Sequence, residues 1–459
     1  MAMYSDYFPP RGSGIAGRHE KAPSAGWGHP WQLGPSWDWK AGEILLGRWQ
    51  GRMIGRADDR HMITVAGSRA GKSSTVLIPN LKRYPGSCVV LDPKGELARA
   101  TAAHRTRLGQ RVFVLDPFGE VVPRSSCHNP FAELGQGRSD HVAADAAQIA
   151  DALIISNQRD PHWTDSAKNL VRGITLHLTA SMSTPTMREV RRLLNATPAE
   201  LDKLFTAMTD SSAFDGIVAN IGASFLGKKE SGGRELQGIL STAQEQTAPL
   251  DDLVGIMDRS DFQLSDLSAG RTTIYLVLPG MRMGTHYRWL RLVIQQALVA
   301  IERHPVPRGK LPVWFVLEEF SSLGHLRAIA TAAGLMAGFG VKLWPVLQDL
   351  TQLKTNYAKA WETFLGNAGI VQAFGNADLT TTEHLSKMLG HCQVIERQDV
   401  RISGSAMAHG DDGVREHIRS TRLLDPNEIT TLFSRETGRQ LILMPGRPPI
   451  YLERLSHDA

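Results

Sequence analysis

Residues 64–76 read TVAGSRAGKSSTV, and this stretch decides the fold. It closes a run of apolar β-formers, HMITVAG from residue 61, and opens a run with helical spacing, GKSSTVLIPNLKRY. A small-residue turn between a strand and a helix is the context in which Gly71-Lys72-Ser73 carries chemistry. The amides of such a loop converge on an anion, and the positive end of the helix adds to them. Lys72 would then reach the β- and γ-phosphates of a nucleotide, and Ser73 would offer its hydroxyl to Mg²⁺. The expected phosphate cradle is Ala66, Gly67, Ser68, Arg69, Ala70, Gly71, Lys72, Ser73 and Ser74. The pattern G-x-x-x-x-G-K-[ST] asks for glycine where Ala66 stands. Its extra methyl group lies at the strand exit, before the tightest curl, so it should be tolerated.

Working outward, short β-branched runs alternate with helical ones. SCVVLD (87–92) and RVFVLD (111–116) flank the helical ELARATAAHRTRL. This alternation implies an α/β protein with a mainly parallel sheet and helices on both faces. Strand signals stop between 131 and 259, where apolar positions recur every three or four residues, as in WTDSAKNLVRGITLHLTAS. They resume at TTIYLVLP (272–279), PVWFVLEE (312–319), VKLWPVLQ (341–348) and GIVQAFG (369–375). QLILMPGRPPIYL supplies a last strand or hairpin. The expected organisation is an irregular Trp-rich arm over 1–42 and a nucleotide-binding domain over 43–130 and 260–459. An all-α domain over 131–259 interrupts it. Trp27, Trp31, Trp37 and Trp39 in the arm should pin it to the body; the alternative is a docking role toward a partner or membrane surface.

A phosphate loop needs an acidic strand end nearby. Glu318 and Glu319 end the apolar run PVWFVLEE. One carboxylate would hold the Mg²⁺ shell and the other would orient or activate the attacking water. Gln348, at the end of the next strand, is placed to sense the γ-phosphate or hold that water. Asp92, Lys94 and Glu96 in LDPKGE end a strand expected beside the phosphate-loop strand; they fit either a phosphate contact or a turn with a helix cap. Asp116 and Pro117 read as structural.

The chain has 459 residues, 42% of them hydrophobic, which fits a folded protein of two or three domains. A formal charge of +5 is mildly basic and is compatible with a polyanionic partner. Three scattered cysteines, Cys88, Cys127 and Cys392, suit a reducing compartment. No apolar run approaches the ~20 residues that a membrane-spanning helix needs, and no secretory signal core is evident. Together these lead to the expectation of a cytoplasmic protein. No nucleophile elbow, Cys/His pair or metal-ligand spacing of histidines points to another chemistry.

Several stretches together resemble one family, the TraG/VirD-type coupling ATPases of type IV secretion and conjugation. They include EILLGRWQGRMI, RHMITVAGSRAGKSSTVLIPNLKRYPGSCVVLDPKGEL, STAQEQTAPLDD, LEEFSSLGHL, GFGVKLWPVLQDLTQL and FLGNAGIVQAFGNADLTTTEHLSKMLG, in family order from about 43 to 454. The resemblance implies a RecA-like P-loop domain interrupted by an all-α domain, and a homo-hexameric ring binding ATP and Mg²⁺ between subunits. It implies hydrolysis that recruits or moves relaxase-bound single-stranded DNA, or protein effectors, to secretion-channel proteins at the inner membrane. On this resemblance Lys72 and Ser73 are the Walker A pair, Glu318 and Glu319 the Walker B acidic pair, and Gln348 the glutamine after the following strand. The chain departs from the pattern in having Glu318 where the family has aspartate. No stretch of the sequence reads as the family's usual N-terminal transmembrane hairpin, so docking at the membrane face is expected to need a partner or the arm. Two other jobs share these features: a soluble FtsK/HerA-like pump of double-stranded DNA, and a nucleotide-switched substrate adaptor with little turnover.

Overall fold

The computed structural model describes residues 25–28, 34–135, 139–156, 160–399 and 414–455. Its strands are β1 (Ile44–Trp49), β2 (Arg52–Arg56), β3 (His61–Ala66), β4 (Cys88–Asp92), β5 (Arg111–Leu115), β6 (Thr272–Val277) and β7 (Val313–Leu317). They continue with β8 (Val341–Leu347), β9 (Ala368–Phe374), β10 (His391–Asp399), β11 (Val414–Arg422), β12 (Arg439–Leu443) and β13 (Ile450–Glu453). Eleven of them form one sheet in the order β2-β1-β13-β12-β9-β3-β8-β7-β4-β6-β5, and β10 and β11 form a separate ribbon. From β9 to β5 every pairing is parallel. From β9 outward to β2 every pairing is antiparallel.

The order corrects one expectation. β4, which ends in Asp92, does not run beside β3; it pairs with β7 and β6, and β8 lies on β3's flank instead. The chain leaves β3 through α1 (Ile78–Arg83) and passes over two strand positions to reach β4. It leaves β8 through the helices Leu350–Tyr357 and Trp361–Gly366, and reaches β9 on β3's far side. Adjacent strands β3 and β8 thus send their connections in opposite directions. That is a topological switch point, where the strand ends of an open α/β sheet leave a crevice.

The central strands are buried on both faces, and alternate residues feed two cores. Ile63, Val65, Val89, Leu91, Phe315 and Leu317 join the core containing the helix Met283–Arg303 and the long helical stretch between β5 and β6. Met62, Ala66, Val90, Val316, Trp344 and Val346 join the core under α1 and α2 (Glu96–Arg107). Period-two side chains on doubly covered strands produce this three-layer arrangement. A buried polar chain fixes the register where parallel pairing gives way to antiparallel. Trp344 Nε1 donates to Thr64 Oγ1 at 2.9 Å, and Thr64 Oγ1 donates to Gln372 Oε1 at 3.0 Å. Gln372 Nε2 donates to Gln440 Oε1, and Gln440 Nε2 donates to Leu46 O at 2.6 Å. A one-residue slip of any of these strands would leave buried amides unpaired.

Between β5 and β6 the described regular elements are all helical. Among them, Met187–Leu194 and Pro198–Thr209 start on capping boxes, Thr186 with Glu189 and Thr197 with Glu200. The N-terminal tryptophans that are described lie against the body. Trp27 meets Tyr451 edge-on at 5.6 Å, and Trp37 is buried beneath the guanidinium groups of Arg56 and Arg447. Trp31 falls outside the described residues. Hairpin β1–β2 and ribbon β10–β11 are additions to the expected strand set.

Candidate functional site

The strand β3 ends at Ala66, and the loop that follows curls tightly enough to need two left-handed residues, Arg69 (φ 56°) and Gly71 (φ 89°). Ala66 is not among the positive-φ residues; it is the fully buried last residue of the strand and pairs with Phe374. The missing glycine of the pattern therefore falls where no glycine is required. Gly67 is different, because a Cβ there would lie 2.0 Å from Gly375 O. The loop rests on the end of β9 through that contact and through Gly67 N–H donating to Phe374 O at 3.3 Å. After the loop, Ser73–Leu77 form a π-helical turn before α1 begins. Such wide turns recur at functional sites.

The loop's cations and carbonyls are paired with each other. Lys72 Nζ donates to Ala66 O at 2.9 Å and to Gly67 O at 3.2 Å. Burial holds Lys72 below the ordinary lysine range, and Glu319 and Glu318 oppose that shift. The cavity beside the loop has a volume of about 760 Å³. Its lining includes Ser68, Arg69, Lys72, Ser73, Lys94, Glu318, Glu319 and Gln348. All the residues expected to share a site are thus in or beside one crevice, at the C-terminal ends of β3, β7 and β8. Ala66 and Gly67 contribute backbone, and Ala70, Gly71 and Ser74 also line the cavity.

The two glutamates are separated by the backbone. β7 stops at Leu317, two residues short of the strand end expected at Glu319. Glu318 Oε1 accepts from Ser73 Oγ at 2.8 Å. Its other oxygen, Oε2, is buried without a protein partner. Burial pushes the Glu318 carboxyl up to about 7; the Ser73 bond opposes this, and neighbouring Asp92 adds to it. Glu319 then adopts a left-handed conformation, φ 52° and ψ 43°, which is costly for a residue with a side chain and tends to persist at functional sites. That turn aims Glu319 at β8, where Gln348 Nε2 donates to both carboxylate oxygens at 3.1 Å. Among the described residues no group of histidines, cysteines and carboxylates forms a separate metal cluster.

Of the three residues left open between a phosphate contact and a turn, Asp92 takes the helix-cap role, and Lys94 and Glu96 line the cavity. Asp92 caps α2, its Oδ2 accepting from Ala98 N at 2.7 Å, while its Oδ1 is buried without a partner. Burial raises Asp92 to about 6. Asp116 is structural, its carboxylate accepting from the amides of Glu120, Val121 and Val122 at 2.9, 2.6 and 3.0 Å.

Sequence reading gave no role to Gly375, Asn376 or Gln352. Gln352 Oε1 accepts from Gln348 N at 3.0 Å, and Asn376 Nδ2 donates to Gln348 O at 3.3 Å, so both fix the glutamine from behind. The available signal was the polar turn Gly375-Asn376 directly after a strand of the phosphate-loop sheet.

A RecA-like P-loop protein of the α/β class is defined by this sheet order and this loop. Residues 17–457 match the family profile described as type IV secretory system conjugative DNA transfer, and the chain belongs to that family. It is 28% identical over 424 residues to the protein VirD4 of Rhizobium rhizogenes, covering 89% of this chain and 60% of that protein. It is 27% identical over 401 residues to the conjugal transfer protein TraG of Rhizobium radiobacter, covering 85% of this chain and 61% of that protein. The chain therefore spans about three-fifths of the length of these curated relatives. Its fold matches the plasmid coupling protein TrwB in complex with the ATP analogue ADPNP, with a TM-score of 0.70, 18% identity and 98% of both chains covered. It also matches TrwB in complex with ADP and Mg²⁺, with a TM-score of 0.67, 18% identity and 96% of both chains covered. No helix among the described residues is long and apolar enough to cross a membrane.

Proposed function

We propose that this chain is an ATP-driven coupling protein that recruits and moves a substrate to a type IV secretion channel. One observation carries the reading: in a chain of the conjugative DNA transfer family, Lys72, Ser73, Glu318, Glu319 and Gln348 surround a single crevice at the switch point of the sheet.

The residues fit a nucleotide with its metal. The loop is built of small residues packed so closely on β9 that a methyl group at Gly67 would collide. Ser73 Oγ and the unpartnered Glu318 Oε2 are the oxygen donors that would hold Mg²⁺. When bound, the ion neutralises charge on the phosphate oxygens. Lys72 exchanges its bonds to Ala66 and Gly67 for the β- and γ-phosphates of ATP. Glu319 orients the attacking water and accepts its proton. Gln348 holds the Glu319 carboxylate by both oxygens and would sense the γ-phosphate, which would couple hydrolysis to β8. The fixed donors of the loop stabilise charge in the transition state without reorganising.

The substrate class is relaxase-bound single-stranded DNA or a protein effector, and six copies form a ring at the cytoplasmic face of the inner membrane beside the channel proteins. The helical stretch between 131 and 259 is assigned as an inserted domain. Its first described α-helix, Val142–Leu153, is joined to the nucleotide-binding part by the ion pair of buried Asp145 with half-buried Arg303.

A nucleotide-switched adaptor with little turnover is the second reading. It is favoured by the direct Ser73–Glu318 hydrogen bond, which the longer glutamate makes at the metal position. Phosphate release measured with no nucleic acid, with single strands and with duplex separates the readings. Stimulation by single strands supports the coupling protein, stimulation by duplex a double-strand pump, and ATP binding without release the adaptor.

A further inference from the structure

Arg454 lies just after β13, nearly four hundred residues from the phosphate loop (|i−j| = 384), yet its Nη1 donates to Ala70 O inside that loop. Its Nη2 donates to Arg435 O, and its guanidinium lies over the Phe374 ring at 4.9 Å from the centroid. Its backbone N–H donates to Gly438 O at 2.6 Å. Phe433 O in turn accepts from Gly375 N at 2.6 Å, next to the Gly67–Gly375 contact. The segment from 433 to 454 thus grips the loop from the side away from the cavity.

In a planar trans peptide, the carbonyl of one residue and the N–H of the next point in opposite directions. Arg454 is not part of the cavity lining, so the Ala70 carbonyl it holds is turned outward. The N–H of Gly71 is thereby turned toward the cavity. Gly71 has a φ of 89°, a conformation that glycine can flip out of at low cost. A peptide with that freedom needs an external hold to present its amide in one orientation. The neighbouring carbonyl of Gly71 is already held by Thr75, whose N–H and Oγ1 both donate to it at 2.8 Å. That leaves the 70–71 unit as the one that depends on Arg454.

We infer that Arg454 is a positioning residue for triphosphate binding: it locks the Ala70–Gly71 peptide so that the Gly71 amide faces the phosphates. The inference rests on the nucleotide reading of the crevice and adds to it a side chain from the far end of the sheet. A charge-assisted hydrogen bond to a carbonyl, together with one misaligned phosphate donor, is worth about a ten- to hundred-fold change in affinity.

The test is titration of the full chain with a fluorescent ATP analogue, with Mg²⁺ and in EDTA, for the wild type, Arg454→Met and Arg454→Lys. Thermal unfolding without nucleotide is measured on the same samples. Arg454→Met should bind about ten- to hundred-fold more weakly, by the same factor with and without Mg²⁺, because the lever is an amide and not the metal. Arg454→Lys keeps one donor for Ala70 O and should recover part of the affinity while unfolding near the wild-type temperature. Equal affinity in all three proteins overturns the inference. So does a loss of affinity in Arg454→Lys that is matched by a collapse of its unfolding temperature. If the wild type itself does not bind the analogue, the nucleotide reading fails first.

Discussion

Gln348 Nε2 donates to both carboxylate oxygens of Glu319, at 3.1 Å each, across the gap between the ends of β8 and β7. This bond holds Glu319 in its left-handed turn and separates it from Glu318, which faces Ser73. Losing a fixed partner of a water-orienting group costs chemistry more than binding. Gln348→Ala should therefore lower ATP turnover by about a hundred-fold while ATP affinity changes only a few-fold. Single-turnover phosphate release set against equilibrium binding separates the two effects.

Neighbouring loop positions should respond in opposite ways to a methyl group. Gly67→Ala places a Cβ 2.0 Å from Gly375 O, so either the loop or the end of β9 must move, and ATP binding should be lost. Ala66→Gly restores the usual pattern but removes a buried methyl group from a strand that needs no positive φ. It should leave ATP affinity nearly unchanged and destabilise the fold by about 1 kcal/mol. Binding titrations and denaturant unfolding of both variants check this.

Arg291 on the helix Met283–Arg303 is buried and donates to three carbonyls: Ala152 O at 3.2 Å, Leu323 O at 3.0 Å and His325 O at 2.7 Å. It ties the helical stretch before β6 to the segment that follows Glu318 and Glu319. Arg291→Met leaves these carbonyls without their donor and should cost about 2–4 kcal/mol. Denaturant unfolding reports that loss, and phosphate release should fall further than the folded fraction does.

His128 is buried against Phe262, with rings stacked at 5.5 Å, and its Nε2–H donates one bond, to Gln296 Oε1 at 3.2 Å. Burial lowers its pKa to about 4, below the ordinary imidazole value of 6.5, and the Gln296 bond opposes the shift. The folded chain keeps this ring neutral between those values, while the unfolded chain takes up a proton. Stability therefore falls as pH falls from 6.5 to 4, by about 3 kcal/mol over the window. In His128→Gln this contribution should vanish, so the variant should lose less stability than the wild type over the same pH range in denaturant titrations.

The parallel core of the fold was legible because its strands are short apolar β-branched runs whose ends carry Gly71-Lys72-Ser73, Glu318-Glu319 and Gln348. Strand adjacency was not legible: LDPKGE at the end of β4 reads like a neighbour of the loop, and only the crossover path puts β8 and β7 between them. The ribbon β10–β11 is rich in charged and polar residues, so its strand character comes from pairing and not from an apolar run, while the hairpin β1–β2 offers only the short run Ile44-Leu45-Leu46, cut off by Gly47. At the site, the candidate side chains Lys72, Ser73, Glu318, Glu319 and Gln348 follow from local motifs, but their supports do not. Gly375, Asn376, Gln352 and Arg454 act through backbone groups and long-range contacts that carry no short-range signature.

Phosphate release by Glu319→Gln, with ATP binding measured on the same protein, tests most directly whether this crevice cleaves ATP. The variant keeps the loop, Lys72, Ser73 and Glu318, so it should bind ATP about as tightly as the wild type and release no phosphate above background, with or without single-stranded DNA. Turnover at the wild-type rate in Glu319→Gln would contradict the assignment of Glu319 as the water-orienting carboxylate and, with it, the proposed use of the crevice.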